Sequence, residues 1–280
     1  MPTRATARRG LPVTPVAHHA AHASALAGEH PEVSRWLVFT WDGVGLGPDG
    51  TLWGGEALAG APGRWRRVAS LRPFRLPGGE RAAREPWRSA QALCWAAGQP
   101  WQAPDQDPAA LQLLRQAWAR GLNSPVTSAA GRLFDAASAL LGLVQMTSFE
   151  GQGPQWLEAV AAPARAAAPL PLNRTDGVWQ ADWAPLLPGL LDAARPLAER
   201  AGAFHDALAA TVVAQARAVA RDHPVEAVGL CGGVFQNRRL TETVAAGLAA
   251  EGLALRLPGE VPGNDAGLSF GQLVEAAHGR

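Results

Sequence analysis

The stretch 38–56, VFTWDGVGLGPDGTLWGGE, limits what this chain can fold into more than any other segment. Leu37, Val38 and Phe39 read as an apolar strand that ends on Asp42. Gly43, Gly45 and Gly47 follow, before a second turn at Asp49-Gly50. The pattern predicts a β-hairpin. Two readings of it stand side by side. One is an ordinary Asp-Gly turn. The other is a carboxylate at the end of a buried strand followed by glycines, which lets backbone amides and a metal approach phosphate oxygens. The rest of the chain decides between them.

The chain has 280 residues and a net charge of +1, enough for one large or two small domains with an ample core. Near-neutrality gives no basic surplus to make nucleic acid the main partner. No apolar run reaches membrane-spanning length, and MPTRATARRG lacks the apolar centre of a signal peptide. Two cysteines far apart, Cys94 and Cys231, form no disulfide framework, so a cytoplasmic location is expected. Lysine is absent altogether. That excludes a P-loop and any Schiff-base or lysine general-base chemistry. Phosphate must be held by arginine, backbone amides or metal.

Along the chain, 1–10 reads as a helix end and 11–16 as a short strand interrupted by proline. In HHAAHASALAGEH, His18 and His22 are four residues apart, so on a helix they share a face at the spacing that binds one metal ion. His19 and His30 do not share that face. The alternative is a chance pair on an alanine-rich helix. His19 occupies the glutamate position of HExxH, so a zinc-protease reading loses its general base. The stretch 61–125 is rich in Arg, Pro, Gly and Trp and reads as an irregular insert with an amphipathic helix over 108–121. Residues 128–143 carry helical apolar spacing. In that helix Asp135 either pairs with Arg132 or caps, or it accepts bonds from a ribose. Residues 161–182 read as a surface excursion. Then come a long helix over 201–221, a strand over 225–230, the Cys231-Gly232-Gly233 turn, Asn237 capping a helix over 238–250, a strand over 253–257 and a closing helix. This alternation predicts a parallel βαβ sheet, with Gly232-Gly233 and the Asn264-Asp265 loop at the carboxyl ends of strands, where α/β folds bind ligands. Asp265 has the plainer alternative of capping the last helix.

The segments VAHHAAH, DGVGLGPDGTLWGGE, AGRLFDAASALLGL, SFEGQ, CGGVFQNRRL and PGNDAGLSFGQ, in this order, resemble the successive signatures of the carbamoyltransferase domain of the HypF family of hydrogenase maturation proteins. That domain is similar to TsaD, the transferase of tRNA threonylcarbamoyladenosine formation. The WGGE and GGVFQN elements favour HypF. The resemblance implies an α/β fold of the actin, heat-shock-protein and sugar-kinase type, with ribonuclease-H-like lobes around a nucleotide cleft. It implies transfer of carbamoyl from ATP-derived carbamoyl-adenylate to the C-terminal cysteine thiol of HypE. By the same resemblance His18, His22, Asp42 and Asp265 would bind a divalent metal, a set suited to Fe or Zn. Gly43 and Gly45 would face phosphate or carbamoyl. Gly131 and Asp135 would meet the ribose, and Gly232, Gly233 and Asn237 the nucleoside.

Departures from the family pattern are Val44 for the usual threonine, Ala20 for the middle histidine and Cys231 for serine, read as a small buried residue. The resemblance further implies an N-terminally truncated piece whose first lobe is incomplete: 1–60 as the metal and phosphate hairpin region, 61–125 as the insert and 126–280 as the nucleotide-binding lobe. Unpaired sheet edges would follow, and another protein would supply the YrdC-like and acylphosphatase functions. Three functional readings result. They are a metal-dependent carbamoyltransferase, a non-catalytic remnant that binds nucleotide or HypE, and TsaD-like transfer to tRNA, which the near-neutral charge disfavours.

Overall fold

The computed structural model describes residues 15–279. The expected helix end over 1–10 and most of the strand expected over 11–16 lie outside them. Pro15 and Val16 carry no regular structure.

Among the described residues the strands are β1 (Trp36–Leu46), β2 (Leu52–Gly60), β3 (Arg66–Leu71), β4 (Phe74–Arg75), β5 (Val126–Thr127), β6 (Leu172–Thr175), β7 (Val178–Ala181), β8 (Ala227–Cys231) and β9 (Leu255–Arg256). All belong to one sheet, with β6-β7-β3-β2-β1-β8-β9 as its spine. β1, β2 and β3 form an antiparallel meander, while β8 lies parallel to β1 and β9 parallel to β8. The order β3-β2-β1-β8-β9 with this polarity is the ribonuclease-H-like arrangement. β1 is buried on both faces, which is why its sequence reads as a continuous apolar run rather than an alternation.

The helices are α1 (His18–Glu29), α2 (Pro86–Ala97), α3 (Pro108–Ala119), α4 (Ala130–Leu140), α5 (Gln152–Val160), α6 (Leu186–Leu191), α7 (Leu197–Asp222), α8 (Arg238–Ala250) and α9 (Leu268–His278). Leu37, Phe39 and Trp41 point to the larger core, where they meet Phe134 of α4, Phe204 of α7 and Leu240 of α8. Burial of each such side chain contributes about 2–3 kcal/mol. Trp36 and Val38 point to the opposite face and meet Leu26 of α1. α9 packs on α1. It lies on α1 at backbone distance through Gly271.

Three expectations need correction. β1 does not end on Asp42. It runs on to Leu46, because the register shifts between Trp41 and Gly45 and pairing with β2 resumes beyond the shift. The stretch 61–125 is not an irregular insert: β3 pairs with β2 and α2 packs on α4, so this stretch extends the sheet and covers it. Its mixed Arg-Trp composition hides a strand whose apolar residues, Val68, Ala69 and Leu71, face the core. Likewise β7, within the supposed surface excursion, pairs with β3. The proposed division at 60 and 125 therefore cuts through one continuous sheet, in which hairpin and C-terminal half are joined by the β1–β8 ladder.

Candidate functional site

The register shift in β1 frees Asp42 from the ladder at the carboxyl end of the sheet, beside the turn that follows β8. Its carboxylate is held from two sides. The Gly43 and Gly233 amides donate to Oδ1 at 2.8 and 3.3 Å. Oδ2 faces α1, 2.9 Å from His18 Nε2 and 3.3 Å from His22 Nε2. The two histidines sit one helical turn apart with their Nε2 atoms 3.2 Å from each other. Asp265 Oδ1 completes the group at 3.6 Å from His18 Nε2 and 3.3 Å from His22 Nε2. Donor atoms of all four residues fall within 4.8 Å of one another.

These separations match the chemistry of a cation site. Four ligands on bonds of about 2.0–2.1 Å stand roughly 3.3–3.4 Å apart at the edges of a tetrahedron. Two imidazoles and two carboxylates form a donor set for a borderline divalent ion. The electrostatics agree with a site in want of positive charge. Burial disfavours the Asp42 carboxylate, yet the bonds from His18 and His22 and from the Gly43 amide hold its pKa well below the usual range. Burial lowers the His18 pKa, but the Asp42 hydrogen bond and the charges of Asp42 and Asp265 outweigh it and raise it.

The loop that brings Asp265 here is anchored to α1. The Glu29 carboxylate accepts from the Gly259, Glu260 and Val261 amides at 3.2, 2.6 and 3.0 Å. Asn264, not Asp265, provides the cap of the following turn, since its Oδ1 accepts from the Ala266 amide at 3.1 Å. The capping alternative for Asp265 is thereby removed, and its side chain remains two-thirds exposed at the cleft mouth.

The glycines fall into two groups. Gly43 and Gly131 touch: a β-carbon on Gly131 would lie 2.7 Å from Gly43 Cα, so the first turn of α4 reaches the hairpin only because Gly131 has no side chain. Gly45 does not line the cleft. It packs under the imidazoles, where a β-carbon would lie 2.6 Å from the His18 ring and 2.7 Å from that of His19. Gly232, with φ of 95°, lies against the Trp41 carbonyl, and Gly233 presents its amide to Asp42. His19 is buried beside Trp53, and burial with the neighbouring histidines pushes its pKa down to about 3, so it stays neutral.

A cleft of about 660 Å³ opens next to these donors, lined among others by Asp42, Gly43, Gly131, Asp135, Gly233 and Asn237. Asp135 is buried and ion-paired to Arg132 at 2.8 Å. Burial pushes its pKa up to about 6, against the Arg132 charge. Asn237 caps α8, with Oδ1 accepting from the Leu240 amide at 2.8 Å, and its Nδ2 donates to His205 Nε2 at 3.0 Å. His205 in turn donates from Nδ1 to the Ala201 carbonyl at 2.8 Å, which fixes the neutral tautomer. Burial brings its pKa down to about 4.

Sequence reasoning missed Glu29, His205 and the place of Arg132 in the cleft. Glu29 carried a readable signal: an acid in the last turn of a helix opposes the helix dipole, so it needs donors from elsewhere. His205 on an apolar helix face carried none.

Residues 38–272 match the family described as carbamoyltransferase, Kae1-like domain, second subdomain. The chain is 43% identical over 276 residues to the carbamoyltransferase HypF of Rhodobacter capsulatus, covering 96% of this chain and 36% of that one. It is 39% identical over 289 residues to a carbamoyltransferase HypF homolog of Cupriavidus necator, covering 98% of this chain and 73% of that protein. A full-length HypF crystal structure in a phosphate- and nucleotide-bound form superposes with a TM-score of 0.89 at 27% identity, covering 95% of this chain and 36% of that one. The HypF of T. kodakarensis gives 0.84 at 25% identity. The chain thus spans about a third of most of these relatives and about three quarters of the Cupriavidus homolog. By sequence over nearly its whole length and by fold, it belongs to the HypF carbamoyltransferase family, with 38–272 matching the second subdomain of that family's Kae1-like domain.

Proposed function

We propose that this chain transfers a carbamoyl group from carbamoyl-adenylate to the C-terminal cysteine thiol of HypE, the step from which the cyanide ligands of nickel-iron hydrogenase are made. One observation carries the reading: His18, His22, Asp42 and Asp265 converge at the mouth of a nucleotide-sized cleft. These four would hold a divalent iron or zinc ion, which when bound supplies Lewis acidity toward carbamoyl and phosphate oxygens. The chain's own residues orient the rest. The Gly43 and Gly233 amides fix Oδ1 of Asp42 so that Oδ2 faces the histidines. Gly43 and Gly131 leave room for phosphate at backbone distance. Asp135 would meet the ribose hydroxyls, and Gly232, Gly233 and Asn237 would lie against the nucleoside. The acceptor thiol comes from the partner. Cys94 and Cys231 are buried, and burial pushes both thiols far above the usual range, so neither serves as nucleophile.

Unpaired cysteines suit a cytoplasmic reaction. Among the described residues no helix is long and apolar enough to cross a membrane. The adenylate would come from a protein with the YrdC-like and acylphosphatase functions. The test is mass spectrometry of HypE after incubation with this chain and synthetic carbamoyl-adenylate. Carbamoylation of the terminal cysteine is expected. Nucleotide and HypE binding without transfer would mark a non-catalytic remnant, and transfer to tRNA in preference to HypE would reassign the acceptor.

A further inference from the structure

Besides Asp42 and Asp265, the cleft walls carry Asp135, Glu150 and Glu158, against one basic side chain, Arg132. With Asp42 and Asp265 given to a cation, a phosphate-bearing ligand still meets Asp135, Glu150 and Glu158, and Arg132 is the guanidinium in the lining that can engage it. Arg132 stands where it can. It is the third residue of α4, so it sits beside first-turn amides that have no acceptor within the helix. Its Nη2 lies 3.6 Å from the place a β-carbon on Gly43 would take, next to the hairpin that carries Asp42.

The guanidinium is also short of partners. Its side chain is 14% exposed, and Nε has no acceptor. Nη1 donates to the Ala82 carbonyl only at 3.4 Å. Asp135 Oδ2 is 2.8 Å away, yet that oxygen receives no aligned hydrogen bond, so the pair is held by charge alone. A largely buried arginine in the cleft lining, with Nη1 turned to Ala82 and Asp135 and Nη2 left toward Gly43, has a charged donor to offer an anion. Asp135 holds the guanidinium by charge at the same cleft wall.

We infer that Arg132 is the phosphate clamp of this cleft: it binds the α-phosphate of an adenylate and receives the charge that develops there when the acyl group leaves. The inference rests on the nucleotide reading of the cleft. In the transfer, the thiol sulfur attacks the carbamoyl carbon and the C–O bond to phosphate breaks. The electron pair stays on the phosphate oxygen of the departing AMP, and the thiol proton passes to solvent. Arg132 acts on the oxygens of that leaving group.

The test is calorimetric binding of AMP and of adenosine to the whole chain and to Arg132→Gln, Arg132→Lys and Asp135→Asn. Arg132→Gln is expected to weaken AMP roughly ten- to a hundredfold while adenosine changes by less than about twofold. Arg132→Lys should fall between, since a point charge replaces a fork. Asp135→Asn should weaken adenosine yet keep the preference for AMP over adenosine. Equal losses of AMP and adenosine in Arg132→Gln, or none, would overturn the clamp while leaving the nucleotide site standing. A wild-type chain that binds neither compound would overturn both. Because the readout is the AMP-to-adenosine ratio, a partly destabilised variant still decides the matter.

Discussion

Replacing Gly271 with alanine tests how the closing helix holds the histidine helix. A β-carbon there would lie 1.9 Å from the Ala21 carbonyl oxygen, 2.7 Å from its carbon and 3.0 Å from the Ala25 amide nitrogen. Non-bonded heavy atoms settle at roughly 3.5 Å, so α9 must withdraw from α1 by about 1–1.5 Å. Overpacking of this kind costs about 1–3 kcal/mol, and exchanging a helix glycine for alanine returns up to about 1 kcal/mol. Near the middle of these ranges the net loss is about 1–2 kcal/mol, or a Tm lower by about 2–8 °C. The consequence for the site is larger. Ala21 precedes His22, and metal ligands tolerate only about ±0.2 Å, so affinity should fall roughly ten- to a hundredfold, as when groups supporting a ligand are removed. Scanning calorimetry and metal titration against a chelator measure the two effects. Gly189→Ala is the matched control, because a β-carbon there meets nothing within 4 Å, and it should leave both unchanged or raise Tm slightly. A Gly271→Ala chain that melts no lower than wild type and binds metal as tightly would refute the reasoning.

Three further outcomes follow from the same geometry. Glu29→Ala should free the 259–261 backbone and let Asp265 wander, weakening metal binding about tenfold with little change in Tm, read by the same chelator titration. His205 has a folded pKa near 4 against 6.5 unfolded, so its contribution is present above pH 6.5 and is lost as pH falls toward 4; that loss amounts to about 3 kcal/mol. Urea midpoints at pH 7 and pH 5 should show about 2 kcal/mol of it in the wild type and a shallower pH dependence in His205→Gln. Thiol reagents should label neither Cys94 nor Cys231 in the folded chain and both after unfolding, since each is buried and its thiol is pushed up.

Much of the fold was legible where one periodicity ran undisturbed. The apolar spacing of 128–143 and 201–221 gave α4 and α7, and the alternation of strand, Gly-Gly turn and capped helix gave β8 and α8 with Asn237 at the cap. His18, His22, Asp42 and Asp265 meet at the sheet's carboxyl end because one helical turn, the shift in β1 and the 259–265 loop each deliver them there. Short strands escaped notice for a physical reason. β6 and β7 lie toward the sheet edge and carry Asn173, Arg174 and Gln180 among their few residues, so neither period nor composition distinguishes them from a loop. The glycine roles were equally hidden. The resemblance placed Gly45 against phosphate or carbamoyl, but the register shift turns it under the His18 and His19 rings. Arg132 was visible as a partner for Asp135, whereas its shortage of acceptors exists only in three dimensions.

The metal content of the purified whole chain, read by elemental analysis beside the His18→Ala, His22→Ala double variant, tests the four-residue centre most directly. About one iron or zinc ion per wild-type chain and near-complete loss in the variant are expected, because Asp42 and Asp265 alone leave two of four positions empty. A wild-type chain that takes up no metal after reconstitution, or a double variant that keeps it, would contradict a shared metal centre at these four residues.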